Sequence, residues 1–142
     1  MKYLNIFRRL DVSSVINFTD LLTVLTNLNT LNTDYFISSN WMAEIQQAKN
    51  HSLRELQIKF DNQTQWKLNF KEFVAFLKAQ RRGFKLGITW KTNADSEFYF
   101  LELQQYLNQK LEKNMECAKR NKLTQVTIDC GMIKYFWCVP LP

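Results

Sequence analysis

The chemistry this sequence offers first is the binding of negative charge. From Lys67 to Lys91 it carries seven basic residues (Lys67, Lys71, Lys78, Arg81, Arg82, Lys85 and Lys91) and one acidic residue, Glu72. Seven minus one is six, which equals the formal net charge of +6 of the whole chain, so the remainder is balanced. Arginine presents a planar fork that meets phosphate or carboxylate in two parallel hydrogen bonds, and lysine supplies a mobile point charge. With Lys59 added from a neighbouring strand, the candidate anion-binding set is Lys59, Lys67, Lys78, Arg81, Arg82, Lys85 and Lys91. Lysines on an outer sheet face also keep a protein soluble and discourage edge pairing, and arginines at a helix end complement its dipole. Charge alone therefore leaves both roles open.

Catalytic groupings are sparse. His51 is the only histidine, and it stands in the polar stretch AKNHSLRE with no nucleophile at a telling spacing. No phosphate-binding glycine loop, dinucleotide fingerprint, GxSxG or HExxH occurs, and three glycines leave little room for a phosphate cradle. Asp61, Gln65 and Lys67 have the residue types of a metal-dependent nuclease, but only a hairpin turn separates them, and magnesium asks for more carboxylates nearby. Glu97 and Glu102 lie five apart on a predicted helix, which does not bring them onto one face. Cys117, Cys130 and Cys138 form no CxxC or Cys/His cluster, so they read as small buried hydrophobes in a reducing, cytoplasmic compartment. No metal and no cofactor is expected.

These residues must be held by a chain of 142 residues, which suits a single globular domain over 1–142. A hydrophobic share of 46% supports a core, and only two prolines, both in the last three residues, permit long regular elements. No apolar run reaches signal-peptide or membrane-span length.

Periodicity then places the elements. Val15, Phe18, Leu22 and Leu25 predict a helix from Ser14 to Leu28, capped by Ser13 or Ser14, with the Asn/Thr-rich NLNTLNTD at its end. A second helix is expected over Asn40–Lys49, with Trp41, Ile45 and Ala48 inward. The period becomes two in LQIKF (56–60) and QWKLNF (65–70), joined by DNQT, which predicts a β-hairpin. Asn69 and Glu72 resemble a capping box for a helix running to Arg82, with Gly83 as its left-handed stop. Phe84, Leu86, Ile88 and Trp90 mark a strand. A long helix over Ser96–Arg120 buries Phe100, Leu103, Leu107, Leu111 and Met115. Val126, Ile128 and Cys130 form the next strand, Gly131 a tight turn, and MIKYFWCV the last, which reads as a buried central strand.

The expected fold is α+β in the order α-α-β-β-α-β-α-β-β. Its sheet is mixed and mostly antiparallel, with helices mainly on one face. That order departs from both the RNA-recognition motif and the double-stranded RNA-binding domain. The functional expectation is a non-catalytic interaction module docking on an anionic partner, nucleic acid or nucleoprotein, through the surface centred on residues 67–91. The alternatives are a protein-binding inhibitor or immunity-type protein anchored by aromatics such as Trp41 or Trp137, and a metal-dependent nuclease. Were the C-terminal strand to lie at a sheet edge, it would offer a route to a homo-oligomer.

Overall fold

A computed structural model of the protein describes residues 2–6, 16–33, 38–60, 68–90, 94–113, 122–131 and 133–140. In chain order the elements are β1 (Tyr3–Ile6), α1 (Phe18–Val24), β2 (Thr30–Thr33), α2 (Trp41–Gln47) and β3 (Glu55–Phe60). They continue with α3 (Phe70–Ala79), β4 (Lys85–Trp90), α4 (Ala94–Lys110), β5 (Gln125–Asp129) and β6 (Lys134–Cys138).

All six strands join one sheet in the order β1-β2-β3-β4-β5-β6. The first five run parallel to one another, and only β6 returns antiparallel to β5. The expectation of a mostly antiparallel sheet is therefore overturned, although the sheet is mixed. Each parallel step needs a crossover, and α1, α2, α3 and α4 supply the four in turn. Crossovers of one hand between neighbouring strands in sequence order lay every helix on the same face. Consecutive helices accordingly touch: α1 packs on α2, α2 on α3 and α3 on α4.

This one-sided cover explains the misread strand direction. Parallel strands clad on both faces are apolar almost throughout, whereas these strands have one dry face and one wet face. Leu31, Leu56, Leu86, Val126 and Trp137 share a register row on the helix side, and all are buried. Ile58, Ile88 and Ile128 form the next such row beneath the helices. Between these rows the side chains face away from the helices: Asn5, Asn32, Gln57, Gly87, Thr127 and Phe136. The resulting alternation looks like that of an antiparallel sheet.

Rings carry much of the core. Trp41 meets Phe76 edge-on at 5.3 Å, and Phe76 in turn meets Phe84 at 6.1 Å. A second run links Trp90 to Phe100 at 5.4 Å and Phe100 to Tyr135 at 5.5 Å. Trp41 and Trp137, the anchors named for the alternative inhibitor reading, are 3% and 0% exposed and belong to this interior. The Trp137 indole N–H, which burial would otherwise leave unpaired, donates to Asn108 Oδ1 at 2.9 Å.

Local differences from the sequence expectations have identifiable causes. Helix α1 starts later than expected, because Asn17 caps it by accepting from the Asp20 N–H at 3.1 Å; the expected caps Ser13 and Ser14 lie outside the described residues. The Asn/Thr patch holds a strand, β2, whose Leu31 and Thr33 point into the core. The expected hairpin does not form: β3 already has parallel neighbours on both sides, and Phe70 opens α3. Residues 61–67, including Asp61, Gln65 and Lys67, lie outside the described residues.

The α3 cap is as expected, with Asn69 Oδ1 accepting from the Glu72 N–H at 3.1 Å. That helix ends at Ala79, however, so Arg81 and Arg82 stand in the turn beyond it, where Gly83 takes a φ of 86°. Gly131 likewise turns β5 into β6 at a φ of 84°. Strand β6 lies at the sheet's edge, not its centre. Part of that edge is covered, because Cys138 and Glu112 exchange backbone hydrogen bonds at 2.9 and 3.0 Å. Cys130 keeps a free thiol, whereas Cys138 is disulfide-bonded, contrary to the reading of every cysteine as a free hydrophobe. No helix among the described residues is long and apolar enough to cross a membrane.

Candidate functional site

Because five strands run parallel, their amino ends all emerge at one end of the sheet, and so do the carboxyl ends of the helices that precede them. The residues just before the strands form one more register row. Lys2 O accepts from the Thr30 N–H at 2.9 Å, Asn29 O from Glu55 at 3.0 Å, and Arg54 O from Lys85 at 2.8 Å. Phe84 O continues the row, accepting from Gln125 at 2.8 Å. Lys2 and Arg54 therefore stand two strand spacings apart, about 10 Å.

Arg81 ties this end together. Its Nη2 donates to His51 O at 2.9 Å, and its own carbonyl accepts from the Phe84 N–H and the Thr124 hydroxyl, each at 3.0 Å. One residue thus joins the approaches to β3, β4 and β5. His51 is half-buried there, and its Nδ1 accepts from the Leu53 N–H at 3.1 Å. Burial, and then the Arg81 guanidinium, hold its pKa below the ordinary value of 6.5. With Nδ1 committed to the backbone, the imidazole is a structural part of the turn.

Lys2, Lys49, Arg54, Arg81, Arg82 and Lys122 are all exposed around this end. Lys49, Arg81 and Arg82 follow closely on the carboxyl ends of α2 and α3, whose partial negative charge favours cations there. Among the described residues the acidic ones at this end are Glu55, which opens β3 on the helix-free face beside Lys85, and Glu112, whose backbone is bonded to β6.

The expected anion-binding set is thus divided. Arg81, Arg82 and the half-buried Lys85 meet at the amino edge, and Lys78 stands exposed at the same end, in the last turn of α3 on the helix side. Lys59 lies on the helix-free face near the opposite end, in register with Thr89. Four residues separate its row from that of Lys85, about 13 Å along the strands. Lys67 and Lys91 lie outside the described residues. Lys2, Lys49, Arg54 and Lys122 were missed because they are scattered through the sequence. The signal that finds them is positional: Lys2, Arg54, Arg81–Arg82 and Lys122 each stand within four residues before a strand.

A second feature occupies the helix-free face. Asn5, Asn32, Gln57, Lys59 and Thr89 line a shallow cleft of about 420 Å³. Asn32 donates to Asn5 Oδ1 at 3.0 Å, and the Gln57 amide leans toward Glu55 at 3.3 Å. Gly87 makes room for that amide, since a Cβ there would lie 1.9 Å from Gln57 Oε1. Among the described residues no three His, Cys, Asp or Glu side chains gather around a common metal position. No family model, curated protein or solved structure matches this chain, so the reading of its function rests on these residues alone.

Proposed function

We propose that the chain is a non-catalytic interaction module that docks on an anionic partner, nucleic acid or nucleoprotein, through the basic amino edge of its sheet. The observation that supports this is the placement of exposed cations before four of the five parallel strands: Lys2, Arg54, Arg81 with Arg82, and Lys122. A parallel topology collects such residues into one track, which few acidic side chains among the described residues interrupt. Phosphates lying along that track would release counterions, giving affinity that falls steeply with salt.

The test is fluorescence anisotropy with labelled random-sequence DNA and RNA, single- and double-stranded, at two salt concentrations. Binding at about 50 mM salt that weakens steeply toward about 200 mM supports the reading. Absence of binding at the lower salt overturns its nucleic-acid form.

The second reading, a small protein-binding inhibitor or immunity-type protein, is favoured by the polar cleft on the helix-free face. Hydrogen-bonding carboxamides and hydroxyls from adjacent strands offer a surface for a protein partner that does not depend on the basic edge. Arg54→Glu with Arg82→Glu would then leave partner binding intact, whereas it would abolish docking through the edge.

A further inference from the structure

Resting on that reading of the amino edge, we infer that its ligand is single-stranded nucleic acid, with one base stacked on the ring of Tyr3. Tyr3 is the first residue of β1 and follows Lys2 directly. Its ring is 64% exposed, on the helix-free side of the register row it shares with Thr30 and Glu55. β1 is the outermost strand of the sheet, and among the described residues no further strand stands beyond it in the order.

Among the described residues the other large apolar side chains that are exposed lie elsewhere: Val24 ends α1, Phe98 and Leu101 are on α4, and Ile133 is in the β5–β6 turn. Among the described residues Tyr3 is therefore the exposed ring next to the basic track, one residue on from Lys2 at the amino end of the sheet and on the opposite face of β1. From Lys2 the cations continue to Arg54 before β3, Arg81 and Arg82 before β4, and Lys122 before β5, a span of four strand spacings or about 19 Å.

A ring at one end of a line of cations is the pairing of parts that holds single strands. Phosphates follow the charge, while an unpaired base lays its face on the aromatic. A duplex keeps its bases stacked on one another and has no free face to offer such a ring. Base stacking tolerates any sequence, so this ligand is defined by strandedness more than by base order.

The experiment compares labelled 12-nucleotide oligo(U) and oligo(A) with a 12-base-pair RNA duplex on the full chain. Four proteins are titrated: parent, Tyr3→Ala, Tyr3→Phe and the double variant Arg54→Ala/Arg82→Ala. The expected result is tighter binding of the single strands by the parent. Tyr3→Ala should lose between about 5-fold and about 150-fold on them, Tyr3→Phe should stay near the parent, and the duplex should be indifferent to Tyr3. Because the ring is exposed, circular dichroism and the melting temperature should be unchanged in both Tyr3 variants. Binding that needs Arg54 and Arg82 but ignores Tyr3, or that favours the duplex, overturns this inference and leaves the edge reading standing. Absence of all binding overturns both.

Discussion

The amino edge makes a quantitative claim about salt. Six of its exposed cations are Lys2, Lys49, Arg54, Arg81, Arg82 and Lys122. If each neutralises one phosphate of a single strand, log K falls against log salt with a slope of about −0.7 × 6, or roughly −4.2, as an upper bound. Between about 50 and about 200 mM salt that slope costs roughly 2.5 decades, about 300-fold in affinity. Arg54→Ala with Arg82→Ala leaves four contacts, a slope of about −2.8 and a loss of about 50-fold over the same range. These two residues suit the test better than Arg81, whose guanidinium and carbonyl hold the His51 turn and Thr124 in place. The assay is anisotropy of a labelled single strand at five or more salt concentrations, with Lys59→Ala as the control on the helix-free face. The parent and Lys59→Ala should give the same slope, and the double variant a shallower one by about 1.4. A double variant whose slope matches the parent's would place the phosphate contacts elsewhere and refute the reasoning.

Three further outcomes follow from local geometry. Asn69→Ala removes the α3 cap and should cost about 1 kcal/mol in urea unfolding, while Asn69→Asp should keep most of it; an unchanged midpoint for the alanine would show the cap to be idle. His51 titrates below 6.5 in the fold and at about 6.5 when unfolded, so the unfolded chain binds the extra proton first. Its contribution to stability is then complete above pH 6.5 and is lost as the pH falls through the folded value, so melting curves from pH 8 to 5 should decline more steeply for the parent than for His51→Gln. Burial, and then Asp129, push the Cys130 thiol up to about 11, and Cys138 is disulfide-bonded, so native alkylation near pH 8 should be slow. Cys138 should take label only after reduction, as read by mass spectrometry, and ready labelling of Cys138 without reductant would contradict the bond.

How far the fold could be read depended on which physical quantity the sequence encodes. Alternation of Leu56, Ile58 and Phe60, and of Phe84, Leu86, Ile88 and Trp90, reports that one face of a strand is dry. It says nothing of strand direction or neighbour. Direction is set by connections, and here the connections are helices, which leave no mark on the strand itself. QWKLNF shows the same limit. Its alternation is good enough for a hairpin, yet β3 has no free side on which to receive it. Strand β2 escaped because only Leu31 and Thr33 face inward while asparagine and threonine fill its other positions, a composition equally suited to a helix end. Where the decisive term was local, as in the Asn69 cap, the Gly83 and Gly131 turns and the α4 stripe of Phe100, Leu103 and Leu107, sequence and structure agree, although α4 ends at Lys110 and not at the expected Arg120.

The site obeys the opposite logic. Counting charges along the chain finds the segment 67–91, because neighbours in sequence are all that such a count can join. A parallel sheet joins residues that are about a repeat unit apart: Lys2, Arg54, Arg82 and Lys122 share one end through the register, while Lys59 and Lys85, close in sequence to the arginines, are divided by the length of the strands. The same segment therefore supplies Arg81 and Arg82 to the basic track, and residues with no local distinction supply the other four cations. Tyr3 carries the point furthest. In the sequence it is one aromatic among many, and the aromatics of a period-two pattern belong by default to the core. It is the phase of β1, with Leu4 and Ile6 turned toward the helices, that sends its ring to the helix-free side, the face opposite to the one that Lys2 takes by the same alternation. What makes the ring a stacking platform rather than a core residue is thus a register of one, and a one-residue slip of β1 would exchange Tyr3 for Leu4 and remove it.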